Sequence, residues 1–225
     1  MTSRTLIIVA AYDEAERIGE TLAALAQAFP GAPVWVADDG SRDGTAEIAR
    51  AAGALVVRSE SVIGKGGAMS DAAREALRGA SGTPVFLLCD GDLGSSAGRI
   101  GALVECVRDG EADLAVAAFA RRVGGGLGLA VGFARWAIRR RCGFDAKAPI
   151  SGQRALGRRT LEDVLPFAPG FGMELGMTID AVRAGHRVSE IELDLEHRAT
   201  GRTPAGFLHR ARQLVDFARA YAKRA

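Results

Sequence analysis

Two carboxylates one residue apart, Asp90 and Asp92, close the apolar run in "PVFLLCDGDL" (84–93). A D-x-D at a strand end can bring hard oxygen ligands to one Mg²⁺ or Mn²⁺, and a metal so held can bridge a diphosphate. Gly91 between them permits close approach of the backbone. Asp and Gly also favour a plain turn, so the pair carries weight only in company. That company exists. "VADDGSRDGT" (36–45) sets Asp38 and Asp39 side by side, where a carboxylate can accept from ribose hydroxyls or a base N–H. One of the two is expected to bind and the other to shape the turn. "IGKGGA" (63–68) places Lys65 among glycines at a helix start, where backbone N–H groups and the helix dipole favour an anion. It is not a Walker loop, because Ser59 and Gly66 stand where that motif needs Gly and Ser or Thr.

The elements around these residues follow from hydrophobic period. Short apolar runs at 5–11, 33–38, 54–58, 84–90 and 113–118 read as strands. Between them, 14–29, 44–53, 66–80 and a segment from Ser95 or Ser96 to about Val107 read as helices. Asp43 can cap the second helix, and Gly53 suits its end. Such alternation predicts an α/β fold: one domain with a mainly parallel central sheet flanked by helices. Ligands of such sheets bind at the carboxyl ends of the strands. "YDE", "DDGS" and "DGDL" sit at three of those ends.

Beyond residue 120 the pattern changes. A basic, glycine-rich loop (120–128) precedes a basic helix (129–143). A polar loop (149–159) leads into a helix, a further helix covers 171–185, and one or two strands cover 187–198. A basic helix covers 207–225.

The charge is divided accordingly. Residues 1–120 hold 10 basic and 17 acidic residues, net −7, and residues 121–225 hold 19 and 10, net +9. The acidic part suits a cation and the basic part an anionic partner. The 121–141 segment interleaves six arginines with Leu127, Leu129, Phe133, Trp136 and Ile138, a composition that suits peripheral contact with a membrane surface. Nucleic acid is not expected, since no reader motif occurs. Three cysteines without a CxxC indicate neither a disulfide framework nor a zinc site. The first residues lack a signal-peptide core, and no apolar run approaches the roughly 20 residues of a bilayer span. A cytoplasmic protein is expected, with membrane association on the cytoplasmic face as an option.

In order, "AAYDEAERI", "VADDGSRDGT", "GKGGA" and "CDGDL" resemble the motifs of family 2-like glycosyltransferases of the GT-A fold. The resemblance is specific over 5–95 and looser to about 200. Ala11 and Asp13 depart from the proline and asparagine usual there. The Q-x-x-R-W signature of processive synthases is absent, so polymer synthesis is not supported. The resemblance implies a nucleotide-sugar donor held by residues 1–118, an acceptor held by 119–225, and Mg²⁺ or Mn²⁺ as cofactor. Ala11, Tyr12 and Glu14 would flank the base, Asp38 or Asp39 the base or ribose, and Lys65 the phosphate or base region. Asp90, Gly91 and Asp92 would serve the sugar ribose and the metal, with His197 completing the metal site. Glu174 in "GFGMEL" would stand near the acceptor, where a carboxylate can take a hydroxyl proton. Arg154 and Gln153 in "SGQRAL" would touch donor phosphate or acceptor. Similar enzymes act on polyprenyl phosphates, and a small anionic acceptor such as a phosphorylated glycerate would equally want the arginines.

Two other readings compete. A nucleotidyltransferase would need a G-x-G-T-R-like loop after the first strand, where this chain has "AAYDEAE". A non-catalytic nucleotide-sugar-binding protein would be expected to lose a metal carboxylate, yet both aspartates are present.

Overall fold

The computed structural model describes residues 5–82, 85–118, 129–195 and 213–224 in full, with 119 and 204–212 as backbone. Seven strands form one sheet in the order β3-β2-β1-β4-β6-β5-β7. They are β1 Thr5–Ala11, β2 Val34–Asp38, β3 Leu55–Arg58, β4 Val85–Asp90, β5 Leu114–Phe119, β6 Arg154–Gly157 and β7 Val188–Leu193. Pairing is parallel except that β6 runs antiparallel to both β4 and β5. The helices are α1 Ile18–Ala28, α2 Thr45–Ala51, α3 Lys65–Gly79, α4 Gly101–Arg108, α5 Leu129–Cys142, α6 Arg158–Val164, α7 Met173–Arg183 and α8 Pro204–Ala222.

Strand residues alternate between two apolar layers, as a sheet covered on both faces requires. Ile7, Val9, Val36, Leu87 and Cys89 pack with Leu22 and Leu25 of α1 and Leu103 of α4. Leu6, Ile8, Phe86 and Leu88 pack on the other side with Ala68, Met69 and Ala72 of α3 and Met177 of α7. A third apolar cluster joins Ala134, Ala137 and Ile138 of α5 to Leu175 and Ile179 of α7 and Phe217 and Ala220 of α8. Each fully buried Leu, Ile, Val, Met or Phe side chain among these adds about 1.5–3 kcal/mol.

Three expectations are corrected. Residues 14–17 form a turn before α1, because Thr45 Oγ1 and Asp43 Oδ2 accept from the backbone N–H groups of Glu14 and Ala15. The helix expected from Ser95 or Ser96 begins as a 3₁₀ segment, Gly94–Arg99, and turns α-helical at Gly101. The loop expected over 149–159 contains β6, whose four residues carry no strand periodicity. Its two hydrogen-bonded neighbours make it a strand, which is a tertiary effect. Among the described residues, no helix is long and apolar enough to cross a membrane.

The chain steps outward from β1 to β2 and β3, then returns to place β4 on the other side of β1. The order therefore reverses between β1 and β4, and the crevice beyond their carboxyl ends is where such a sheet binds ligands.

Candidate active site

Asp90 lies opposite Ala10 in the β1–β4 register, so the D-x-D turn leaves the sheet at that reversal. Its backbone is fixed from β1 and from the start of α1. Gly91 N donates to Ala10 O at 2.8 Å. Buried Thr21 donates from Oγ1 to Gly91 O at 2.7 Å and accepts from Gly94 N at 2.9 Å. The Arg17 guanidinium donates to Asp92 O at 2.9 Å. Neither Thr21 nor Arg17 stood out in the sequence, since both lie on what reads as an ordinary amphipathic helix.

The turn after β1 is tied to the turn after β2. Asp13 N donates to Ser41 Oγ, and Asp13 Oδ1 accepts from Arg42 N, both at 2.9 Å. Asp13 itself sits at φ 52°, a conformation that Asp tolerates better than most residues. Partial desolvation works against the Asp43 charge, but hydrogen bonds from Thr45 and from Ala15 N outweigh it and hold its carboxyl below the usual range.

The adjacent aspartates point different ways, one inward and one toward the crevice. Asp38 is fully buried; its Oδ1 accepts from Ser41 N at 3.0 Å and its Oδ2 lies 3.3 Å from Arg58 Nε. It does not reach the cavity. Asp39 does, while its carboxylate accepts from Ile63 N at 2.7 Å and Gly64 N at 2.9 Å. Burial raises its carboxyl, and the neighbouring Asp38 adds to this against the two N–H groups.

Lys65, at the first turn of α3, reaches across the crevice. Its Nζ donates to Asp90 Oδ1 and to Glu174 Oε1, each at 2.6 Å. Burial alone would lower the ammonium, but the two carboxylates outweigh it and hold Lys65 protonated, above the usual lysine range. Gln153 Nε2 donates to Asp90 Oδ2 at 2.8 Å, so both Asp90 oxygens are engaged. Gly152 makes this possible, since a Cβ there would lie 2.4 Å from Asp90 Oδ2 and 2.8 Å from Lys65 Nζ.

Arg154 is placed otherwise than the sequence suggested. It is fully buried in β6, behind the crevice and outside the cavity lining. Its Nε donates to Ser151 O at 2.8 Å and its Nη1 to Thr178 Oγ1 at 2.9 Å; Thr178 in turn donates to Glu174 O at 3.1 Å. Burial pulls the guanidinium down to about 10, against the attraction of Glu174, Glu190 and Asp90. Arg154 thus holds the 151–153 segment and α7 together without an exposed surface of its own. His197 lies outside the described residues.

A cavity of about 930 Å³ opens at this point. Ala11, Tyr12, Glu14, Asp39, Lys65, Asp90, Gly91, Asp92 and Glu174 all line it. The structure therefore gathers nine of the sequence-derived candidates around one space. It adds a wall the sequence did not reveal: Gln213, Val215, Asp216, Phe217 and Arg219 of α8, with Ile150 and Phe171 beside them. No motif marks that wall, and a basic amphipathic terminal helix reads the same whether it covers a site or only a core.

Known proteins resemble this chain in sequence and fold. The family described as glycosyl transferase family 2 matches residues 6–164. Glycosyltransferase AglJ of Haloferax volcanii is 28% identical over 200 residues, covering 87% of this chain and 64% of its own length. The chain thus spans somewhat less than two thirds of that relative. Undecaprenyl-phosphate mannosyltransferase of Micrococcus luteus is 31% identical over 214 residues, covering 88% of this chain and 86% of its own. Glucosyl-3-phosphoglycerate synthase of Mycobacterium tuberculosis, crystallised with phosphoglyceric acid, superposes with a TM-score of 0.75 at 25% identity over 98% of this chain and 80% of that one. The same enzyme with Mn²⁺, uridine diphosphate and glucosyl-3-phosphoglycerate gives 0.73. With a family match over most of its length and a relative 31% identical across most of both chains, the chain belongs to glycosyl transferase family 2.

Proposed function

We propose that this chain transfers a sugar from a UDP- or GDP-sugar to a phosphate-bearing acceptor, with a divalent cation at Asp90 and Asp92. The observation that carries the reading is the convergence of Asp39, Lys65, Asp90, Asp92 and Glu174 on one cavity at the β1–β4 reversal. The structural neighbour crystallised with Mn²⁺ and UDP, and the curated relative named for an undecaprenyl-phosphate acceptor, support it.

In this reading half-exposed Tyr12, with Ala11 and Glu14, flanks the base, and Asp39 accepts from a base N–H or a ribose hydroxyl. The residues present fit a cation. Two hard carboxylates share one wall, and cations of this class are commonly held by one or two carboxylates plus substrate phosphate oxygens. Asp90 and Asp92 would be the protein donors, the cation competing at Asp90 with Lys65 and Gln153 for its two oxygens. His197 would be a further ligand. Such a cation would neutralise the charge that grows on the departing diphosphate.

The bond from the anomeric carbon to the diphosphate oxygen breaks, its electron pair leaving with the nucleotide, and an acceptor oxygen bonds to that carbon. The role of Glu174 then depends on the attacking group. A hydroxyl must lose its proton, which a carboxylate on this wall can take. A phosphate monoester with a second pKa near 6 is largely ionised at neutral pH and needs no base. In both cases Lys65 keeps Asp90 and Glu174 apart and in register. Arg154 acts through α7 and the 151–153 segment as a positioning residue.

The test is calorimetric binding of UDP and GDP with and without Mn²⁺, followed by transfer from the matching nucleotide sugar to phosphate-bearing acceptors. Mn²⁺-dependent binding with sugar transfer supports the reading. Binding without transfer or donor hydrolysis would make the chain a binding protein. Absence of nucleotide binding would overturn the reading.

A further inference from the structure

Helix α8 forms a cavity wall that no motif of the chain accounts for, and it faces the crevice from the side of Glu174. It is seated firmly. Asp216 Oδ2 accepts from Phe171 N at 3.2 Å, at the turn that opens α7. Phe217 and Ala220 enter the third apolar cluster, and Arg224 Nε donates to Asp180 Oδ1 at 2.7 Å. What this wall presents to the cavity is therefore fixed.

Among the described residues, the cations lining the cavity are Lys65 and Arg219. Lys65 is committed to two carboxylates at 2.6 Å. Arg219 is not comparably committed: Asp216 Oδ1 lies 3.6 Å from its Nη1, and the arginine side chain is 73% exposed. An exposed ion pair this long holds its partners weakly, so an incoming anion can displace it. A guanidinium fork also matches a phosphate better than an ammonium does.

We infer that Arg219 on α8 is the acceptor-selecting cation of this enzyme, binding the phosphate monoester of the acceptor within the cavity it lines. The inference deepens the proposed function and rests on it, because the nucleotide must occupy the Tyr12–Asp39 wall for the α8 wall to be left to the acceptor. An incoming phosphate must displace Arg219 from Asp216, which also lines the cavity. Val215 and Phe171 line the same cavity as Arg219, so the wall offers apolar surface and one cation. That suits a phosphate carried on a lipid or on a small organic ester.

The experiment titrates two probes, 3-phosphoglycerate and a short-chain polyprenyl phosphate, into the full chain saturated with UDP and Mn²⁺. Wild type is compared with Arg219→Gln, Arg219→Lys and Val215→Asp. Arg219→Gln should weaken binding of the phosphate ester about tenfold or more, and Arg219→Lys should restore part of it. UDP affinity should be unchanged in both. Weakening of only the lipid ester by Val215→Asp identifies a lipid source, whereas binding of only phosphoglycerate identifies a small ester. Equal ester binding by wild type and Arg219→Gln would overturn the inference, as would failure of wild type to bind either probe while still binding UDP. Loss of Mn²⁺-dependent UDP binding in wild type itself would instead overturn the functional reading on which the inference stands.

Discussion

The two walls of the cavity are built from different kinds of sequence. The wall formed by the β1, β2 and β4 ends and α3 is made of loops pinned to one another by side-chain-to-backbone hydrogen bonds. Asp39 holds the N–H groups of Ile63 and Gly64, Asp13 holds Arg42 N, and Thr21 holds both ends of the Gly91–Gly94 turn. The α7–α8 wall is built by helix packing, with small residues of α7 against α8 and one carboxylate, Asp216, reaching the Phe171 backbone. A loop wall of this kind permits few residue types and so reads as motif. A helix wall needs only apolar residues at the right period, which many sequences supply. The comparison teaches why the chemistry of the loop wall is conspicuous in such a chain and that of the helix wall is not.

The sharpest break in this contrast is Asp92→Asn. It should abolish Mn²⁺-dependent UDP binding and lower transfer by about 10²-fold or more, leaving the melting temperature of the ligand-free chain nearly unchanged. Calorimetry with a thermal melt checks both halves, and retained metal-dependent binding would remove Asp92 from the site.

Next in size is the bridge between the walls. Lys65→Met leaves Asp90 and Glu174 facing each other without their cation, a loss of about 3–5 kcal/mol for a buried pair. The low end applies here, because the Lys65 side chain keeps 21% exposure. Adding Glu174→Gln should recover part of that loss, with a coupling of about 0.5–3 kcal/mol read from urea unfolding of the four proteins. Strict additivity would mean the bridge is not a coupled unit.

A smaller effect distinguishes tight from open packing. A Cβ on Gly66 would lie 1.8 Å from Ala168 O, so Gly66→Ala should cost about 1–3 kcal/mol. Gly132, inside α5, has nothing within 4 Å of its added Cβ, and Gly132→Ala should stabilise by about 0.5–1 kcal/mol. Equal shifts in the two melts would contradict the close approach of α3 to residue 168.

The smallest effect is pH-dependent. The Asp43 carboxyl is held below its usual range in the folded chain, so its contribution is present above the unfolded value near pH 4 and is lost as pH falls through the lower folded value. The unfolding midpoints of wild type and Asp43→Asn should differ at pH 6, and the gap should shrink as pH falls below about 4. A gap that does not change with pH would show that the hydrogen bonds of Asp43 do not depend on its charge.

Much of this was legible in the residues. Five short apolar runs and the turn chemistry between them specified a parallel α/β sheet, because buried strands and amphipathic helices differ in period. The carboxylates at 39, 90 and 92 and the lysine at 65 could be assigned to one site, because parallel strands collect their carboxyl ends on one edge. The division of labour between Asp38 and Asp39 was legible as a choice but not as an answer. Only side-chain direction at the end of β2 sends one inward to Arg58 and the other to the crevice.

Tertiary structure alone decided the remainder. β6 is a strand because β4 and β5 flank it, not because its four residues alternate. That placement buries Arg154 and lets Gln153 reach Asp90 past Gly152. Lys65 meets Glu174, 109 residues later, only when α3 and α7 lie on the same face of the sheet. Arg219 enters the cavity only because α8 docks on α7. Local sequence determines which groups can be charged, turned or capped. Contacts between residues far apart in the chain depend on packing, and packing decides which of those groups meet.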